Sequence, residues 1–179
     1  MNLVGKKVML RELRESDMPL FNNLMNSSDV EQFVVGWSKP VTMSEQISWF
    51  QNLKSDDSIR YTISNIEDNE AFGTLIISKI DWKNRCCGLD IKLSNNSRGK
   101  GIGNESIGLA ISYIFNELNL NRIGISILDS NIPSQNLFKK NGFIEEGKLR
   151  NAIFKNGKYN NLLIFSLLKE DFLDERNRQ

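Results

Sequence analysis

Histidine is absent from the 179 residues of the chain. That removes the Ser-His-Asp and Cys-His catalytic arrangements and argues strongly against a zinc site. A general base here has to be a carboxylate, a deprotonated amine or water held by the backbone. Cysteine is scarce: the two present, Cys86 and Cys87, are adjacent. Neighbouring side chains on a strand point to opposite faces, which disfavours a disulfide between them. They read as small strand residues in a reducing compartment. An excess of either charge is also missing, since 23 Lys and Arg face 22 Asp and Glu for a net charge of +1. No long-range field for nucleic acid follows, although Arg98 and Lys100 allow a local basic patch. No apolar run approaches the ~18 residues of a membrane span. Met1 to Lys7 lacks the apolar core of a signal peptide. The expectation is a cytoplasmic protein with neither nucleic acid nor membrane as partner. No linker, repeat or low-complexity segment divides the chain, and 40% apolar with 25% charged residues is ordinary for a globular protein. One domain over residues 1–179 is expected.

What is present is organised around Arg98-Gly99-Lys100-Gly101-Ile102-Gly103. An alternating apolar run, Leu89 to Leu93, precedes it. Helical periodicity follows it through Ile107, Ile111, Ile114 and Leu118. The glycines therefore sit where a strand turns into a helix, where backbone N–H groups converge and the helix dipole adds partial positive charge. Without a Cβ, the chain can come close to a bulky anion. This is the pattern of a phosphate cradle. Its spacing is not that of a P-loop, because no Lys-Ser or Lys-Thr follows the glycines. Nor is it a dinucleotide fingerprint, whose last glycine would fall at Asn104.

The other elements follow from periodicity and caps. Val8 to Leu13 reads as a strand. Ser16 reads as the cap of a helix carrying Leu20, Phe21 and Leu24. Asn26 to Ser38 is irregular, yet it holds Phe33, Val34, Val35 and Trp37. These either tuck into the core or line a pocket mouth. Thr42-Met43-Ser44-Glu45 is a capping box opening a second helix. Ile59–Ile66 and Ala71–Ile80 form a hairpin. Cys87–Leu93 enters the glycine loop, and Gly101–Leu118 is the long helix. Arg122–Leu128 should run parallel to the preceding strand, because a helix joins them. Asn131 caps a short helix to Lys140, and Phe143–Leu149 and Asn161–Leu168 are the last strands. Leu162 to Phe165 is apolar on both faces, so the last strand is expected inside the sheet. The order is β-α-α-β-β-β-α-β-α-β-β.

That order, with R-x-x-G-x-G at Arg98, Gly101 and Gly103, resembles the GNAT (GCN5-related N-acetyltransferase) superfamily. A second motif strengthens the resemblance. Asn131-Ile132-Pro133-Ser134-Gln135-Asn136-Leu137-Phe138-Lys139-Lys140-Asn141-Gly142-Phe143 is similar to the family's N-x-x-S/A-x-x-L-Y-x-K-x-G-F. Leu10 to Asp17, Glu146 to Arg150 and Asn156 to Tyr159 look like the branch related to the RimJ/RimL ribosomal-protein N-terminal acetyltransferases.

The resemblance implies a mixed α+β fold, a central twisted sheet of about six to seven strands with about four helices. It implies acetyl-CoA as cosubstrate and no metal. The amides of Gly99, Lys100, Gly101, Ile102, Gly103 and Asn104 would hold the pyrophosphate, with Arg98 beside them. Leu93 and Ser94 would flank the pantetheine, between strands that splay apart. Asn131 would lie near the pantetheine or thioester, and Asn136 and Lys139 on the same helix would complete the cofactor site. Lys139 and Lys140 read equally as solvated surface charges. The reaction implied is direct attack of a primary amine on the thioester. The acceptor is a small molecule (an amino sugar, a polyamine or an antibiotic) or a protein N-terminus. A homodimer is common in the family.

The chain departs from the family at Phe138, where tyrosine is usual. A phenyl ring cannot protonate the departing thiolate, so Ser134 and Tyr159 become candidate acids. A catalytically silent acyl-CoA-binding domain is the alternative reading. Asp90 reads either as the base or as an ordinary surface charge. Glu31 and Asp29 read either as acceptor-pocket groups or as solvated loop charges.

Overall fold

Alternating side chains build the sheet and then bury one row of it. Val8 and Leu10, Tyr61 and Ile63, Leu75 and Ile77, Cys87 and Leu89, and Ile123, Ile125 and Ile127 all point into one core. In the computed structural model, which describes residues 1–36, 39–54 and 57–177 and side chains as far as Leu173, these rows belong to a single eight-stranded sheet. Its strands are β1 (Leu3–Val4), β2 (Val8–Arg11), β3 (Ile59–Asn65), β4 (Ala71–Asp81), β5 (Cys86–Leu93), β6 (Arg122–Leu128), β7 (Ile144–Lys155) and β8 (Lys158–Leu168). The spatial order is β1-β2-β3-β4-β5-β6-β8-β7. Every pairing is antiparallel except β5 with β6.

Six α-helices occur among the described residues: α1 (Met18–Asn26), α2 (Ser28–Glu31), α3 (Met43–Gln51), α4 (Ile102–Asn116), α5 (Ile132–Lys140) and α6 (Lys169–Asn177). The sequence expectation of about four helices and six to seven strands misses only short or terminal pieces. These are the two-residue β1, the single turn of α2, and α6. Helix α4 carries Ile107, Ala110, Ile111, Ile114 and Phe115 into the main core. Helices α1 and α2 form a second cluster through Met18, Phe21, Leu24 and Val30, with Ile47 and Phe50 of α3 against it.

Two local details differ from the sequence reading. Ser16 does not cap the first helix. Residues 15–17 form a 3-10 turn, and α1 begins behind Asp17. The Asp17 carboxylate accepts both guanidinium NH2 groups of Arg11 at 2.8 Å, the Arg14 N–H at 2.9 Å and the Thr62 hydroxyl at 2.8 Å. Burial alone would raise its pKa, but these bonds and the Arg11 charge outweigh burial and hold it below the ordinary value. The last hairpin is also longer than its apolar pattern suggests. Asn151, at φ +49°, lies in a register shift between Leu149 and Ile153 that interrupts the alternation. The capping box stands as read: Glu45 N–H donates to Thr42 Oγ1 at 3.2 Å, and Thr42 N–H donates to Glu45 Oε2 at 2.8 Å. Val34 packs on the second cluster. Trp37 lies outside the described residues.

Candidate active site

The parallel register of β5 and β6 stops at Gly88 opposite Gly124. Beyond it β5 continues with β4 as far as Leu93, and β6 with β8 as far as Leu128. The two strands therefore part, opening a wedge in the middle of the sheet. Ser94 N–H donates to Phe72 O at 2.9 Å, on the β4 side. Backbone groups alternate along a strand, so those of Leu93, Ile91 and Leu89 face β6. Asp129 N–H donates to Asn161 O at 3.1 Å, on the β8 side, so Ser126 and Leu128 face β5. The wedge is thus walled by main-chain donors and acceptors without sheet partners. Such groups call for another partner, and an extended amide-bearing arm supplies one.

The glycine loop closes one side of the wedge. Gly99 and Gly101 have φ of +74° and +83°, which glycine adopts without steric cost. A Cβ built on either would meet nothing within 4 Å, so the backbone there borders open space. Gly101 caps α4 with no side chain, and the first intrahelical bond runs from Glu105 N–H to Gly101 O. The N–H groups of Ile102, Gly103 and Asn104 are left for an anion, at the positive end of a 15-residue helix. Gly103 serves a different purpose. Its Cβ would lie 3.2 Å from Leu93 Cδ1 and 3.4 Å from Leu137 Cδ2, so glycine lets α4 approach β5 and α5.

Around the loop, Arg98 and Lys100 are exposed, and Arg98 Nε donates to Leu93 O at 3.3 Å. Ser94 shares a 2.7 Å hydroxyl contact with Ser97. Ile102 is buried in the core, and Asn104 Oδ1 accepts from Asn141 Nδ2 at 3.2 Å. The geometry of the cradle therefore fits a pyrophosphate at its amides, with two cations beside it.

The other side of the wedge is the end of β6. Asn131 Oδ1 accepts from Ser134 N–H at 3.2 Å, which fixes the start of α5 and half-buries both residues. Asn136 is exposed on α5. Lys139 is exposed, pairs with Glu145 at 3.5 Å and stands 5.4 Å from the centre of the Phe165 ring. Phe138 is only 3% exposed and meets Phe143 edge-on, with ring centres 5.0 Å apart.

Across the sheet, Asp90 lies on the face opposite the buried Leu89. It is exposed and accepts from Ser78 Oγ at 2.9 Å. Lys92 shares that face and reaches Met25 Sδ of α1 at 3.9 Å. Burial pulls the Lys92 pKa down, while the charge of Asp90 pulls it up. Helix α2 straps the mouth of the wedge. On one flank Asp29 Oδ2 accepts from Asn95 Nδ2 at 2.6 Å. On the other, Glu31 Oε1 accepts from Lys155 Nζ at 2.6 Å, and Lys155 also donates to Val34 O at 3.1 Å.

Beside this strap opens a cleft of about 270 Å³. Gln32 and Phe33 line it from the segment after α2, Leu128 and Ser130 from the end of β6, and Lys155, Asn156, Lys158 and Asn160 from the β7–β8 hairpin. Tyr159 points elsewhere, 63% exposed and edge-on to Phe154. Sequence reasoning placed Glu31 here but missed Lys155 and Lys158. Their signal was the Asn156-Gly157 turn, which makes these lysines direct cross-strand partners.

A wedged sheet with a glycine cradle on one flank and an open cleft on the other fits an acyltransferase that takes its acyl group from a CoA thioester. The chain belongs to the acetyltransferase (GNAT) domain family, whose family model matches residues 7–144. It is an acetyl-CoA-dependent N-acetyltransferase. It is 27% identical over 168 residues to the SPbeta prophage-derived uncharacterized N-acetyltransferase YokL of Bacillus subtilis, across 94% of this chain and 93% of that one. It is 32% identical over 109 residues to the putative ribosomal N-acetyltransferase YdaF of Bacillus subtilis, across 61% of this chain and 60% of that one. Among solved structures, spermidine N-acetyltransferase from Vibrio cholerae in complex with CoA and spermine superposes with a TM-score of 0.83. That structure is 24% identical and the match covers 93% of this chain and 98% of that one, a likeness of fold. Among the described residues no cluster of three or more His, Cys, Asp or Glu could hold a metal ion, and no helix is long and apolar enough to cross a membrane.

Proposed function

We propose that the chain acetylates a primary amine by direct attack on acetyl-CoA, with the acceptor entering through the cleft beneath α2. The observation that carries this is the β5–β6 wedge, with the glycine cradle following β5 and the cleft at the end of β6. Acetyl-CoA supplies the activated acetyl group. The amides of Ile102, Gly103 and Asn104 hold its pyrophosphate, with Gly99, Lys100, Gly101 and Arg98 completing the cradle. The edges of Leu93 and Ser126 that lack sheet partners hold the pantetheine amides, and Ser94 and Asn131 bound the arm at either side.

In this reading Asp90 takes the proton from the incoming ammonium, directly or through one water. It is exposed, it lies on the face of β5 opposite the buried Leu89, and Ser78 donates a hydrogen bond to it. Glu31 and Asp29 are each engaged in a structural pair, so they shape the mouth of the wedge. Ser134 stands at the start of α5, where its hydroxyl can offer a proton to the thiolate. The RimJ/RimL-related branch, with a protein N-terminus as acceptor, draws support from the likeness to YdaF. A small-molecule amine draws support from the spermidine enzyme. A homodimer belongs to the same reading. The terminal strand β7 exposes Ile144, Leu149 and Phe154 along an edge that a second copy can cover. Free Cys86 and Cys87 fit a reducing, cytoplasmic setting.

Asp90→Asn tests the mechanism. Release of free thiol from acetyl-CoA with an accepted amine should slow about 10²–10⁴-fold, with the KM for acetyl-CoA unchanged. An undiminished rate would remove Asp90 as the base.

A further inference from the structure

The cleft that receives the acceptor in the reading above has an uneven charge. Lys155 and Lys158 are register partners across the hairpin, so both side chains leave the same face. Both line the cleft, and among the described residues that line it there is no Asp or Glu. Like charges directly opposite each other are destabilising, and the structure compensates only one of them. Lys155, 6% exposed, is neutralised by Glu31 at 2.6 Å. Lys158 makes no ion pair among the described residues. Its other neighbours on the wall are neutral. Gln32, Asn156 and Ser130 offer amide and hydroxyl groups, and Asn160 Nδ2 is already spent on the carbonyls of Lys155 and Lys158, at 3.3 and 3.2 Å. Glu31, on the strap beside the cleft, is held by Lys155.

We infer that the acceptor is an amine carrying an anionic group, a carboxylate or a phosphate, which Lys158 binds while the amine faces the wedge, and that polyamines are excluded. In the reading above Asp90 takes the reacting amine, and the remaining charge of a polycation meets Lys158 with no carboxylate among the described residues lining the cleft. An acid-bearing amine completes the charge pattern the hairpin leaves open. This inference rests on the acetyltransferase reading and on the cleft as the acceptor's entrance.

The test measures thiol release from acetyl-CoA by the full chain with three groups of amine. The first is spermidine and spermine, the second free amino acids and dipeptides, and the third glucosamine 6-phosphate beside unphosphorylated glucosamine. The expected result is a kcat/KM at least about tenfold higher for acid-bearing amines than for polyamines. The second and third groups distinguish carboxylate from phosphate as the anion. Lys158→Glu should raise KM for the acid-bearing amine about tenfold or more while KM for acetyl-CoA stays unchanged. Lys155→Met, which takes the lysine from Glu31, should increase turnover of spermidine. Preference of the wild-type chain for polyamines would overturn the inference and leave the acetyltransferase reading intact, as would an unchanged KM in Lys158→Glu. No thiol release with any amine would overturn both.

Discussion

Substitutions at Gly101 separate two explanations of the glycine cradle. If the glycine is there so that no side chain crowds the cofactor, damage should grow with size, and alanine should be the mildest replacement. The alternative is backbone strain. A Cβ at Gly101 meets no protein atom within 4 Å, but the backbone sits at φ +83°. On that account the cost is conformational, about 1–2 kcal/mol for an L residue in the left-handed region. Asparagine visits that region readily, alanine less so, and β-branched valine worst. The expected order of damage is Asn, then Ala, then Val. For a chain of this length the alanine variant should lose roughly 2–8 °C of Tm.

A variant that escapes the strain by turning the loop moves at least one amide away from the pyrophosphate. A hydrogen bond to a charged group contributes about 1.5–3 kcal/mol, so the Kd for CoA should rise roughly 10–150-fold. Isothermal titration with CoA and thermal melts of all three variants read both effects. Gly108→Ala is the control, because Gly108 lies on an exposed face of α4 with open space at its Cβ. It should gain about 0.5–1 kcal/mol of stability and bind CoA normally. Alanine milder than asparagine would refute the strain argument. CoA affinity unaltered in Gly101→Val would refute the cradle itself.

Asp17→Asn removes the anion from a buried pair whose members are 3% and 4% exposed, so unfolding should require about 3–5 kcal/mol less, measured by urea titration. Because the folded-state pKa of Asp17 is lowered, its contribution is complete above the ordinary carboxylate pKa and is lost as pH falls through the lower folded value. The acid limb of the stability curve should therefore be shallower in Asp17→Asn than in the wild type, and an identical limb would show that Asp17 does not set it. Phe138→Tyr adds a hydroxyl to a ring buried against Phe143, so Tm should fall by several degrees, about 1–3 kcal/mol, with no gain in rate. A tenfold faster enzyme at unchanged Tm would show instead that the ring edge opens onto the thioester.

Much of the cradle was legible because its signals are local. The left-handed positions need glycine, α4 has its own apolar stripe, and Asn131 caps α5 within three residues. The strands were legible wherever one face is buried, so β6 could be read from Ile123, Ile125 and Ile127. The second half of β7 could not. Its residues are exposed on both faces almost to its end, and the bulge at Asn151 breaks the period. The acceptor side was obscure for another reason. Glu31 and Lys155 are 124 residues apart, and α2 is a single turn with no periodicity to read. A carboxylate reads alike in sequence whether it awaits a substrate or already holds a lysine. Only the strap of α2 across the wedge decides which.

Phe138 then has a physical explanation that needs no missing acid. A proton donor helps a departing group most when that group is far more basic than the medium. A thiol's ordinary pKa is about 8.5, so a thiolate is a tolerable leaving group near neutrality and gains little from full protonation. An ammonium on a lysine-like chain has a pKa near 10.4, so its deprotonation is the harder proton transfer at the same pH. The residues follow that division. On the proposed reading the carboxylate of Asp90 meets the amine, whereas α5 holds at position 138 a ring that packs against Phe143. With Asp90 as the proposed base, the ionisable group falls where the amine must be made neutral, while Phe138 closes the core against Phe143.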